Sequence, residues 1–590
     1  MGQDEGFGSR RQRVDTLLVA ALAAAAASPN LAWLSGDALR ASYAESILLP
    51  SLASVVLLLS LSSRLWVGCL LLAPWAILAP FEFFYIADFD KVSDPQLFGI
   101  IADSDIAEAS GFLAGLILPL AALAICALLL AGFAIRRAFR HRLLWRSRSR
   151  WWVLAAGLLA LGVPEMAKWH GPVPSLAVPK ADAAPPSVGD RLAQAHRPEV
   201  FDYLLDVYPT GIPGRLLMYL DQRRALREAR DIVADFRFAA VQAPIAERQV
   251  YVLVIGETGR PDHWQLNGYD RPTTPLLSRT EGVVSFRDAF SPWAWTRMAV
   301  PLILTRKSAL DNNQFFAETS LVAAFREAGF RTYWFSTQSP LGPHDSSIAL
   351  HAQEAHESRF LNHLDYKQSG VFDEVLLAPL GEVLQRAEDK VLIVLHTLGG
   401  HFNYADRHPA AFDKFLPSLT GVKGASLHKP EQKDMFVNSY DNSVLYLDFF
   451  LSAVIEKLSA TGSVASLFYI ADHGENLYDG RCEKAGHGRG NEYDFRVPAL
   501  FWHSPEYARV FPEKVAGARL HERAPISTTN TFHSMLDAAG IRYPEEDLTF
   551  SIFSPEWRPR LRITQNKIDF DDAKRDETCK KLQPPPRSDF

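Results

Sequence analysis

The chain has little cysteine and no excess of basic charge. Four cysteines serve 590 residues, and 61 Lys and Arg stand against 67 Asp and Glu, a net charge of −6. That balance excludes the broadly basic surface that would point to nucleic acid. No internal repeat is visible, which argues against a repeat array. The length is enough for two or more domains with full cores.

Charge is also scarce locally. Residues 1–168 are mostly apolar and rich in Ala and Leu, while the remainder has ordinary globular composition. Five apolar stretches stand out: Thr16–Trp33, Ser46–Leu61, Leu65–Phe84, Gly111–Ile135 and Trp151–Val163. A membrane span needs about 20 such residues, so the fourth is the clearest and the second and fifth are short. The first follows Arg10, Arg11 and Arg13 as a signal peptide would, but further spans follow, so it reads as a retained helix. The segment RRAFRHRLLWRSRSR at 136–150 should stay cytoplasmic. Between spans three and four, Asp88, Asp90, Asp94, Asp103, Asp105 and Glu108 face only Lys91, so that loop should lie outside. Five spans with an inner N-terminus place everything after about residue 168 outside.

Residues 170–190, HGPVPSLAVPKADAAPPSVGD, read as an extended spacer. Two helical patterns follow, broken by the turn Pro-Thr-Gly-Ile-Pro. There, Leu216, Leu217, Tyr219 and Leu220 beside Arg223 and Arg224 suit either a membrane surface or packing against the outer domain.

From residue 250 the pattern alternates. Strand-like runs at Tyr251–Ile255, Val284–Phe286, Thr332–Phe335, Val391–His396, Ser466–Ile470 and Ala499–Trp502 are separated by helical stretches such as Thr319–Ala328, Glu374–Glu388 and Met435–Ser459. This predicts a mostly parallel sheet with helices on both faces. The predicted domains are therefore a membrane part at 1–168, a linker with bridging helices at 169–249, and an outer α/β domain at 250–590.

The chemistry-bearing residues follow the strands, where ligands sit in open α/β sheets. Glu257 comes directly after YVLVIG. Thr296 opens a helix-like segment, where free N–H groups and the helix dipole favour a phosphate. His396 and His401 follow VLIVL, Asp472, His473 and Glu475 follow SLFYIA, and His487 lies in a Gly-rich loop before the last strand. Singly, each is more often a cap or a structural group. Jointly, their oxygen and nitrogen atoms suit zinc.

These motifs carry a resemblance. VLVIGETGRPDHWQLNGYDRPTTPLL, AFSPWAWTRMAVPLILT, LHTLGGHFNY, YDNSVLYLDFFLSAVI and ADHGENLYDG followed by GHGRGNEYDFRVPALFW occur in the order found in the phosphoethanolamine transferases of Gram-negative envelopes. That family lies within the alkaline phosphatase and sulfatase superfamily and includes enzymes behind polymyxin resistance. The five-span half, with ADSDIAEASGF in its outer loop, resembles it too. The resemblance implies an inner-membrane, multi-pass enzyme with its catalytic domain in the periplasm. It would move phosphoethanolamine from phosphatidylethanolamine to lipid A, a lipopolysaccharide core sugar or a periplasmic glucan, acting as a monomer. Glu257, Thr296, Asp472 and His473 look like the zinc ligands, and Thr296 like the nucleophile that carries the headgroup. His401 and His487 look like groups that hold the phosphoryl or a second zinc. Glu108 resembles a position that helps seat the donor lipid.

The chain also departs from the polymyxin-resistance branch. Thr296 sits in Trp293-Ala294-Trp295-Thr296 rather than a Ser-Cys-Gly-Thr context, and Ile100 stands where relatives often have Asn. WFSTQSPLG resembles a substrate-proximal stretch but lacks the lysine that some relatives place just after it. Cys69 and Cys126 fall in expected spans, so Cys482 and Cys579 are the two that could pair in an oxidising periplasm. A phosphoglycerol transferase is the nearest alternative, and a catalytically silent scaffold the alternative of another class. A sulfatase activity is disfavoured because Thr296 lacks a Cys-x-Pro-x-Arg setting.

Overall fold

The computed structural model describes residues 4–34, 38–89, 116–157, 207–233, 235–311, 318–338, 347–362, 371–422 and 425–584, with a few isolated positions between them. Glu108, Ile100 and the spacer at 170–190 lie outside the described residues. The chain divides into two compact units, residues 1–103 with 115–221, and residues 104–114 with 222–590.

The first unit is helical. It contains α1 (Asp4–Ala27), α2 (Ala38–Ser60), α3 (Leu65–Phe89) and α4 (Ile117–Arg140), and the start of α5 (Gly211–Val233). Among the described residues three helical stretches are long and apolar enough to cross a membrane: Val14–Leu34, Leu65–Phe89 and Ile117–Arg140. The second expected span appears as a shorter apolar stretch, Ile47–Ser60, and the fifth is described only as far as Gly157.

Small residues let these helices pack closely. Ala127, Ala131 and Ala134 line one stripe of α4 and meet Val19, Leu22 and Ala26 of α1 and Cys69, Leu72 and Ala76 of α3. The outward side of α4 leaves Leu118, Leu129 and Phe133 exposed, as expected of a helix that is apolar all round. Buried charge in this unit is paired: Asp15 with Arg137 and His141, and Glu82 with Arg215. On α5, Arg215 and Tyr219 are buried while Leu216, Leu217 and Leu220 are exposed.

The second unit is built on an eight-stranded sheet. Its strands are β1 (Gln249–Gly256), β2 (Val283–Phe290), β3 (Arg331–Ser336), β4 (Glu357–Phe360), β5 (Lys390–His396), β6 (Val464–Ala471), β7 (Arg496–His503) and β8 (Ile526–Ser527), in the order β4-β3-β5-β1-β6-β7-β2-β8. Every residue of β1 and β6 is buried, which is why both read as unbroken apolar runs. The helix used below is α6 (Thr296–Leu304).

The sheet is mixed. β7 pairs antiparallel with both β6 and β2, whereas β1, β3, β5 and β6 pair in parallel. The chain passes from β6 to β7 through residues 472–495, a loop that stays at one end of the sheet and contains no crossover helix. A strand that returns from the same end can pair only antiparallel. The edge strands β4 and β8 carry no apolar run, so sequence periodicity does not reveal them.

Register places the functional loops. Ile255 on β1 is level with His396 on β5, and Gly256 with Ala471 on β6. Thr397 N–H then donates to Ile255 O at 3.0 Å and Asp472 N–H to Gly256 O at 3.0 Å. Glu257, Thr397 and Asp472 therefore leave the sheet at one level on its carboxyl edge.

Cys482 and Cys579 form a disulfide across 97 residues, and Cys69 and Cys126 are free. In the chain-entropy description, Cys579→Ser should lower the unfolding free energy by roughly 4–5 kcal/mol. Denaturant titration of the oxidised protein and the variant reads this, and coincident curves would contradict it.

Candidate metal and nucleophile centre

Three loops bring the central side chains together. Glu257 follows β1, while Asp472 and His473 follow β6. All three are buried, and one potential ligand atom from each lies within 4.8 Å of the others. Glu257 Oε1 is 3.3 Å from His473 Nε2, and Asp472 Oδ2 is 3.6 Å from the same nitrogen. Thr296 is the first residue of α6, following Trp295 in extended conformation. Its Oγ1 lies 3.3 and 3.2 Å from the two Glu257 carboxylate oxygens and 3.3 Å from His473 Nε2.

The surrounding bonds leave the inward atoms available. His473 Nδ1 is 2.9 Å from Gly474 O, so that nitrogen carries the donated hydrogen and Nε2 faces the cluster. Asp472 Oδ1 accepts from the Thr258 and His473 amides at 3.2 and 2.7 Å. Its other oxygen, Oδ2, is buried without a hydrogen-bond partner. An orphaned carboxylate oxygen beside a second carboxylate and an imidazole fits a divalent cation with oxygen and nitrogen ligands. Glu257 is held from both sides: Thr258 Oγ1 donates to Oε1 at 2.7 Å and Gln338 Nε2 to Oε2 at 3.0 Å.

Burial alone would raise the Glu257 carboxyl, but the bond and charge of His473, the charge of His401 and the Thr258 hydroxyl outweigh it and hold Glu257 well below the usual carboxylate range. Burial, then the charge of Glu257, pushes Asp472 up. Burial would lower His473, but Asp472 and Glu257 overcome it and raise the imidazole. In the cation-free protein the site therefore retains protons that a cation must displace.

Two glycines permit the close approach of the loops. A Cβ on Gly474 would lie 1.9 Å from Tyr493 O, and one on Gly488, at φ +78°, would lie 2.2 Å from the Trp295 indole. The second contact brings His487 alongside the centre. Its ring is 4.3 Å from that of His473, edge-on to Trp295 at 5.1 Å, and its Nδ1 is 3.4 Å from Glu475 Oε2. Burial and the neighbouring positive charges hold His487 far below its ordinary value. His401 is near enough for its charge to act on Glu257, Glu475 and His487.

Six of the seven site residues predicted from sequence thus fall in or beside one centre, and Glu108 lies outside the described residues. His396, which follows the same strand as His401, ends instead in the sheet. It is buried 3.3 Å from Ser336 Oγ, and burial lowers it to about 4. Sequence reasoning assigned no role to Gln338 or Asp373. Gln338 lies just past β3 at the same sheet edge. Asp373 accepts from Thr337 Oγ1 at 2.6 Å and from the Leu398 and Gly399 amides at 3.0 Å each, tying the loops after β3 and β5 together. Gln338 carried a sequence signal, lying beyond an apolar strand within WFSTQSPLG, the stretch that resembles a substrate-proximal one; Asp373 carried none.

Residues 249–541 match the sulfatase family model. They form a sulfatase-family domain. This sulfatase domain is homologous to phosphoethanolamine transferases. Over 308 residues the chain is 31% identical to the Kdo(2)-lipid A phosphoethanolamine 7''-transferase of Escherichia coli (strain K12), covering 50% of this chain and 52% of that one. The chain spans about half the length of the curated relatives it matches.

Among solved structures, the integral membrane lipooligosaccharide phosphoethanolamine transferase A of Neisseria meningitidis aligns with a TM-score of 0.67 at 20% identity, covering 92% of this chain and 99% of that one. The C-terminal periplasmic domain of EcEptC from Escherichia coli, in complex with Zn, aligns with a TM-score of 0.51 at 24% identity, covering 58% and 97%. At these identities the likeness establishes a shared fold.

Two outcomes are expected for the purified protein. His473→Ala should weaken zinc binding by more than about a hundredfold, since losing even an outer partner of a ligand costs 10–100-fold. Protons held on His473 and Asp472 must leave as the cation enters, so affinity should fall as pH falls. Calorimetry in two buffers of different ionisation enthalpy reads the proton release, and identical heats would contradict it.

Proposed function

We propose that this chain transfers phosphoethanolamine from phosphatidylethanolamine to an envelope glycolipid or glycan, with Thr296 as the covalent carrier. The observation that carries the reading is the Thr296 hydroxyl, held within 3.3 Å of both Glu257 oxygens and of His473 Nε2 in a buried cluster with an orphaned Asp472 oxygen. Homology to the lipid A transferase supports the reaction class.

In the first half-reaction Thr296 Oγ1 attacks the donor phosphorus. The bond from phosphorus to the diacylglycerol oxygen breaks, and diacylglycerol leaves with a proton. In the second, an acceptor hydroxyl oxygen attacks the same phosphorus, the bond from phosphorus to Thr296 Oγ1 breaks, and the proton the acceptor loses restores the Thr296 hydroxyl. Glu257, held ionised far below neutral pH, is too weak a base to take the hydroxyl proton outright, so it orients the hydroxyl. Zinc held by Glu257, Thr296, Asp472 and His473 would lower the hydroxyl pKa and offset the charge of the phosphodiester. His487 and His401 would donate to, or exchange protons with, the oxygens of the transferred group.

The apolar helices keep the domain beside a donor that cannot leave the bilayer. On this reading the chain crosses the inner membrane five times, with the Arg-rich segment 136–150 inside and the sulfatase domain in the periplasm. Tags at residue 145 and at the C-terminus should label from opposite sides, and same-side labelling would break the topology.

Thr296→Ala should abolish transfer of labelled headgroup from phosphatidylethanolamine while membrane insertion and the thermal midpoint stay as in the parent. Transfer retained in that variant would remove Thr296 from the mechanism.

A further inference from the structure

The family match ends at residue 541, but the folded chain continues to residue 584 and returns to the centre. Two separate segments of this tail reach the two sides of the site.

The first reaches the loop that carries Thr296. Ala294 N–H donates to Gln565 Oε1 at 3.1 Å, and Gln565 N–H donates to Pro292 O at 2.8 Å. Gln565 thus grips residues 292–294 through both its side chain and its backbone, two residues before the nucleophile. Arg562 ties the same region further back, pairing with Asp288 at 2.7 Å.

The second segment reaches the loop that carries His487. Glu492 N–H donates to Lys580 O at 3.0 Å and Leu582 N–H to Gly490 O at 2.9 Å, forming a short antiparallel bridge at Asn491 and Lys581. Arg575 pairs with Glu492 at 3.2 Å, and Cys579 is bonded to Cys482. Phe570 and Ala573, between the two grips, and Leu582, in the second, share a small buried cluster with Phe290, Ala294 and Phe495. The Glu257, Asp472 and His473 loops are held instead by the sheet and by each other.

We infer that the C-terminal tail is a strap that sets the gap between the Thr296 hydroxyl and the His487 imidazole, with Gln565 as the positioning residue for the nucleophile loop. The inference rests on the reading of Thr296 as the nucleophile. Attack on a phosphodiester requires the nucleophile in line with the leaving oxygen, and small displacements are costly. Gln565 touches no reacting atom; it acts through the Ala294 amide and the entry into α6.

The test uses the full chain in lipid nanodiscs with two variants. Gln565→Ala removes the acceptor for the Ala294 amide, and Gln565→Glu keeps one. In Gln565→Ala, kcat for transfer from labelled phosphatidylethanolamine should fall about tenfold or more, with donor KM, zinc content and thermal midpoint unchanged. In Gln565→Glu, kcat should return to near the parent value. Parent-like kcat in Gln565→Ala, equal losses in both variants, or loss of zinc together with kcat would each overturn the strap. Hydrogen exchange over residues 293–298 needs no turnover and should rise in Gln565→Ala but not in Gln565→Glu; unchanged exchange overturns the strap on its own. A parent protein that never takes up the headgroup would sink the reaction assignment instead, and the exchange result would then decide the strap.

Discussion

The centre depends on two buried carboxylates facing one imidazole, a set that retains protons a cation must displace. Glu257 and Asp472 leave adjacent parallel strands at one level, and their carboxyl groups converge on a single imidazole, His473. The ion pairs described for either carboxylate are to His473. Such an arrangement is costly unless a cation is gained, because a buried charge needs a partner. The sheet supplies the energy to hold it: β1 and β6 are buried along their whole length, so the ends of both strands are fixed by core packing rather than by loop preference.

That rigidity explains how a threonine becomes useful. Thr296 begins a short helix whose next eight residues are all buried, so its backbone cannot drift from the cluster. The Trp295 ring, flush against Gly488, couples the helix entry to the His487 loop. The tail beyond the family match braces the same two segments from behind. One side of the site is therefore fixed by the sheet, and the other by contacts between segments far apart in the chain.

Much of this was legible in the sequence for a physical reason. Glu257, Asp472 and His473 each terminate an unbroken apolar run, and in an α/β sheet that position alone predicts a shared edge. Thr296 was legible as the start of a helical pattern. The reversed direction of β7 was not, because strand direction follows from the path of the 472–495 loop and leaves no periodic mark. His396 closes the same apolar run that His401 follows, yet it is the last residue of β5 and is buried beside Ser336. Gln338, Asp373 and Gln565 act through side-chain hydrogen bonds across 25 to 271 residues of sequence, which no local pattern encodes.

The central claim is that the Thr296 oxygen carries the lipid headgroup between donor and acceptor. Peptide mapping by mass spectrometry after zinc-loaded protein is mixed with phosphatidylethanolamine, without acceptor, tests it most directly. The account predicts one phosphoethanolamine on the peptide containing Thr296, lost again when acceptor is added. An unmodified Thr296 peptide alongside headgroup transfer, or a modification on another residue, would contradict it.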